Sequence, residues 1–190
     1  MSQDRADPFI EHLQRLREHD RGAIATLRHS LAFALGDDPK SYPYVERYLP
    51  IDWHERDARR LARYAVAGLF ASHPVQQQRS LATALGQLVR DKQRPSLELR
   101  FIALLEADAD SLMDHLRQAV SLLAADGRGY NYAGLLRDLS IGLDPHAWPE
   151  ARDRLKRQWA RDFYRALQAD APAEAADAPA IHAESTDRSD

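Results

Sequence analysis

The sequence predicts an all-α fold, a compact helical bundle of about eight helices. Apolar residues recur at helical spacing through almost all of the first 168 positions. Nowhere do four or more residues alternate strictly between β-branched apolar and polar types, so strands are not expected. Proline, glycine and capping residues separate the periodic stretches at short intervals. The helical region covers 1–168, as one bundle or as two sub-bundles (1–92 and 93–168), and a disordered acidic tail covers 169–190.

Asp7-Pro8 supplies an N-cap followed by proline at the first helical position, opening a helix through Phe9, Leu13 and Leu16 to about Asp20. A second helix carries the stripe Ile24, Leu27, Leu31 and Leu35, with Gly36 as its stop. Residues 36–50, GDDPKSYPYVERYLP, read as an ordered loop or a short turn of helix because three prolines and three tyrosines fall within them. Further helices are expected at about 52–72, 76–91, 96–107, 111–125, 131–141 and 146–168. His73-Pro74, Arg94-Pro95, Gly127-Arg128-Gly129 and Asp144-Pro145 stand between them. No repeat of fixed period is visible, which disfavours a solenoid.

Composition narrows the function classes. A chain of 190 residues with 44% hydrophobic residues can bury one good core. It has no cysteine, which excludes disulfides, thiolate metal sites and a cysteine nucleophile. The charged N-terminus MSQDRADPFIEHLQRLREHD lacks the apolar core of a secretory signal, and the stretch YAVAGLFAS falls far short of the roughly 20 apolar residues that span a bilayer. A cytoplasmic location without membrane contact is the expectation. From Asp170 onward six acids stand against Arg188 alone, while the whole chain carries −3, so the body is mildly basic beneath the tail. The tail, with Ile181 as its only large apolar residue, cannot build a core and reads as a solvating segment.

Catalytic signatures are missing. His54-Glu55-Arg56-Asp57-Ala58 lacks the second histidine of a metalloprotease helix. His12 and His19 could share a helix face, yet no carboxylate stands at matched spacing, so no metal and no cofactor is expected. Gly127-Arg128-Gly129 lacks the lysine and hydroxyl of a phosphate-binding loop, and no Gly-x-Ser-x-Gly elbow occurs. The reading is that the protein is not an enzyme.

The arginines carry more information. On the last helix Leu155, Trp159, Phe163 and Ala166 fall on one side, and Arg154, Arg157, Arg161 and Arg165 fall within a narrow opposite arc that only Glu150 shares. Such a rail suits a phosphate backbone as well as solvent. On the helix expected from residue 52, Arg56, Arg59, Arg60 and Arg63 cluster opposite Leu61, Ala65 and Leu69, with Glu55 and Asp57 close enough to neutralise part of the cluster. Arg28 and Arg100 sit beside apolar stripes and must snorkel or find a partner. Tyr42, Tyr44, Tyr48, Tyr130 and Tyr132 could stack on bases, though packing in core or loops is the leading account.

The segments DRGAIATLRHSLA, YAVAGLFASHP, SLELRFIALLEAD, HLRQAVSLLAADGRGYNYAGLLRDL and RQWARDFYRAL together resemble the CasB family, the small subunit of type I-E CRISPR Cascade complexes. The likeness runs from about residue 9 to 167 and rests on the order of helices and arginines. It implies an all-α, non-catalytic subunit with a basic face. Two copies would assemble in a ribonucleoprotein, contacting guide RNA and target DNA, including the displaced strand, beside other Cascade subunits. Carried over by position, the family's basic contacts fall at Arg28, Arg56, Arg100, Arg117, Arg154 and Arg157; Arg60 and Arg161 join them from the rails. His29 departs from the pattern, where the family often has a second arginine. A helical adaptor whose basic faces meet acidic proteins is the rival reading; a DNA-reading helix-turn-helix finds no suitable recognition helix.

Overall fold

A computed structural model describes residues 7–169. The acidic tail beyond Ala169 lies outside them. Nine α-helices occur among the described residues: α1 (Pro8–His19), α2 (Arg21–Ser30), α3 (Tyr42–Val45), α4 (Ala58–Ser72), α5 (Leu81–Lys92), α6 (Pro95–Glu106), α7 (Leu112–Ala125), α8 (Tyr132–Gly142) and α9 (Pro149–Gln168). The all-α expectation is met. The helix beyond the expected eight is α3, a single turn flanked by short 3₁₀ segments at Pro39–Ser41 and Glu46–Tyr48, inside the tyrosine-rich stretch.

Side-chain caps start many of the helices. Asp7 accepts from the Phe9 amide at 2.9 Å, Asp20 from Ala23 at 2.8 Å and Ser80 from Thr83 at 3.1 Å. The caps also correct three boundaries. The α4 helix is opened not by Asp52 but by Asp57, which accepts from the Arg59 amide at 2.9 Å and leaves 52–57 in turns. Residues 76–80 are not helical. They run beside Tyr130 in an isolated parallel bridge, Gln77 donating to the Tyr130 carbonyl at 3.1 Å. Gly129 permits that approach, since a Cβ there would lie 2.4 Å from the Val75 carbonyl oxygen. The second helix stops at Ser30 rather than Leu35, its last amides turning into 3₁₀-type bonds such as Ala32 to His29.

The α4 helix runs through the interior. Every residue from Tyr64 to Ala71 is buried, so the second half of this helix is apolar all round, while its first half carries the arginines. It packs on α2, α8 and α7, while α5 lies along α9. Tyr130 and Tyr132 are fully buried, their rings 4.4 Å apart, with Tyr132 donating to the His73 carbonyl. They belong to the core and are closed to any base. No helix among the described residues is long and apolar enough to cross a membrane.

Candidate nucleic-acid interface

The orientation of α9 is set from inside. Phe163 stacks on Phe101 with ring centroids 3.8 Å apart and planes 5° from parallel. Trp159 donates its indole N–H to Asp138 of α8 at 2.7 Å. Near the start of α5, the Ser80 hydroxyl donates to Asp162 at 2.9 Å. Gly86 seats the two helices so closely that a Cβ there would lie 2.3 Å from the Phe163 carbonyl oxygen. With that side held, Arg154, Arg157, Arg161 and Arg165 point outward.

All four are exposed, and none has an ion-pair or side-chain hydrogen-bond partner among the described residues. Steps of three and four residues place them about 5 to 6 Å apart along the axis, in a row about 16 Å long. The nearby Asp162 is occupied, accepting from Ser80 and from Gln158 at 2.7 Å. The row presents positive charge to water and makes no ion pair among the described residues, although Glu150 and Asp153, exposed one turn before Arg154 and Arg157, offset part of it at its N-terminal end.

The second rail is different. Arg56 precedes α4 and stands exposed in the turn, its amide bonded to the His54 ring at 3.1 Å. Arg59 makes two bonds to Asp57, at 2.6 and 3.0 Å, which hold that carboxyl below its ordinary range. Arg59 and Arg63 both lie over the Trp53 ring, their guanidinium carbons 4.2 and 4.9 Å from its centroid. Burial lowers the Arg63 pKa. Arg60 pairs with Glu46, which also accepts from the Tyr64 hydroxyl. Burial and that carboxylate push the Tyr64 phenol upward. The four arginines expected to share one arc are therefore split between a turn, an aromatic stack and an internal ion pair.

Arg56, Arg60 and Arg117 come together all the same, on the wall of an open groove of about 880 Å³. Phe33, Tyr42 and Met113 line it with them, and so do Asp37, Glu46, Glu55, Asp110 and Asp114. Arg117 bonds Asp114 at 2.9 Å, one turn away. Five acids against three arginines make this groove hostile to phosphate. No sequence signal announced it, because its walls come from segments far apart in the chain.

Arg28 and Arg100 join neither group. Arg28 donates twice to the Ala71 carbonyl, at 3.0 and 2.9 Å, satisfying the end of α4 as a cation at a helix C-terminus does. Arg100 is exposed on α6 without an ion-pair partner among the described residues. Glu98 faces Tyr164 of α9 and raises its phenol pKa, after burial. Two residues on, Arg100 is turned about 200° away from that side of α6. His29 is exposed, its ring 5.4 Å from that of Phe33.

His12 is buried against Tyr48 with its Nε2 3.2 Å from the Tyr44 carbonyl oxygen, whereas His19 is exposed beside Glu18, so the two do not converge. Burial, then the charge of Arg47, lowers the His12 pKa. Among the described residues no group of three His, Asp or Glu side chains could hold a metal ion.

Residues 23–164 match the family model described as CRISPR-associated protein Cse2. The CRISPR-associated protein Cse2 of Thermus thermophilus is 39% identical over 163 residues, covering 83% of this chain and 89% of that protein. The crystal structure of CasB from Thermus thermophilus superimposes with a TM-score of 0.69 at 38% identity, covering 83% of this chain and 96% of that one. A chain from a structure of a CRISPR RNA-guided surveillance complex superimposes with a TM-score of 0.65 at 26% identity, covering 84% and 95%.

Proposed function

Because the chain belongs to the CRISPR-associated Cse2 family, we propose that it acts as the non-catalytic small subunit of a CRISPR RNA-guided surveillance complex and holds nucleic acid by its phosphate backbone. The observation that carries this reading is the outer face of α9, where Arg154, Arg157, Arg161 and Arg165 stand exposed on a helix whose other side is fixed in the core. Such a row neutralises phosphates and releases counterions without reading bases, leaving sequence to the pairing of guide and target.

In this role the chain contacts guide RNA and target DNA, steadies the displaced strand of the R-loop, and sits among other Cascade subunits as one of two copies. Arg100 acts as a separate backbone contact away from α9, and Arg28 does so only through the terminal nitrogen that Ala71 does not engage. The groove favours the alternative reading, an adaptor. There Arg60 and Arg117 are already paired with acids, so Arg56 and its neighbours suit a protein surface better than a strand.

The test compares wild type with a variant in which Arg154, Arg157, Arg161 and Arg165 are all alanine. Binding to a single-stranded oligonucleotide is followed as salt is raised, with the chain both free and assembled with its partner subunits. Each lost phosphate contact should flatten the slope of log K against log salt by about 0.7. An unchanged slope would remove α9 from the interface.

A further inference from the structure

The α9 row ends where the acidic segment begins. Arg90 of α5 donates to the carbonyl oxygens of Ala166 and Ala169, at 3.3 and 3.2 Å, tying down the last turn from which the chain continues. Beyond it come Asp170, Glu174, Asp177, Glu184, Asp187 and Asp190, with Arg188 as the only opposing charge. We propose that this acidic segment, residues 170–190, docks on the exposed arginine face of α9 within the same molecule.

Three features favour this occupant. The signs are complementary: a row of four arginines without acidic partners among the described residues meets six carboxylates. The tether is short, so the local concentration of the segment at α9 is high without any binding from solution. Reach is sufficient, because 21 extended residues span about 70 Å and the row is about 16 Å long. Asp170 and Glu174 lie within reach of Arg165 and Arg161, and Glu184, Asp187 and Asp190 can return as far as Arg157 and Arg154.

Each such pair is exposed, individually weak and screened by salt, so the contact is collective and readily displaced. A nucleic-acid strand carries denser charge and removes the segment, whereas a short or adventitious anion does not. The segment thus sets a threshold against non-specific binding. The docking stands by itself; the competition rests on the proposed role of α9.

The chain has no cysteine, so Ser189→Cys introduces a single attachment point for a spin label on the 190-residue chain. With the label in place, amide signals of residues 154–165 should lose about half their intensity near 50 mM salt and recover near 500 mM. They should also recover when all six acids of the segment are replaced by Asn or Gln. Broadening that is absent from α9, or indifferent to salt and to those replacements, would overturn the proposal. In the same six-fold variant, a single-stranded oligonucleotide should bind about fivefold more tightly at low salt. If the label reports docking and the affinity does not change, the docking stands and α9 is not the nucleic-acid site.

Discussion

Asp138 shows how a single residue couples the core to the exposed face. It lies inside α8 and accepts from Trp159 of α9; burial raises its pKa despite that bond and the charge of Arg137. A carboxyl raised in the folded state stabilises the fold below its unfolded pKa, and that contribution is lost as pH rises through the folded value. At neutral pH Asp138 therefore carries a desolvation cost. Asp138→Asn keeps an acceptor for the indole and removes the charge. The variant should be more stable than wild type at pH 7, with the difference shrinking toward pH 4, as read by urea unfolding at both. Lower stability at pH 7 would show that the charged hydrogen bond outweighs the burial cost. Pairing at this scale is only partly legible in sequence. Asp114 and Arg117 stand three apart on one helix, a spacing that pairs them, but Glu46 reaches Arg60 from the short 3₁₀ turn after α3, whose path the sequence does not disclose.

The two arginine-rich helices look alike as patterns and differ as structures. The α9 rail is legible because its amphipathic period is clean over 20 residues, so the buried stripe fixes where the arginines point. The α4 pattern misleads. Its true cap is Asp57, which withdraws Arg56 from the helix, and Trp53 folds back under Arg59 and Arg63. Helix position also depends on seating, and the α5–α9 contact narrows at Gly86. Gly86→Ala adds about 1 kcal/mol of helix propensity, yet sets a methyl against the Phe163 carbonyl and forces α9 outward. The net expectation is a loss of about 2 kcal/mol, seen as a melting temperature lower by roughly 4–8 °C. An unchanged or raised melting temperature would mean that α9 shifts freely and that its arginine row is not rigidly presented.

For the molecule as a whole, the all-α class was readable from local periodicity, since each helix announces itself within its own residues. Tertiary features were not. The interior course of α4, the bridge between Gln76 and Tyr130, and the groove shared by Arg56, Arg60 and Arg117 all depend on contacts between distant segments. The family likeness read from the chain agrees with the match of residues 23–164 to the Cse2 model. The near-neutral charge of the whole chain, −3, fits the proposed role, in which affinity for nucleic acid would be delivered by an assembly rather than by the chain alone. The most direct measurement is therefore recovery of the tagged protein from its own host, with bound RNA sequenced and bound proteins identified. Repeat-derived guide RNA together with the other subunits of a CRISPR surveillance complex is the expected result. Stable protein partners carrying no guide RNA would contradict the proposed role and make the adaptor reading the leading one.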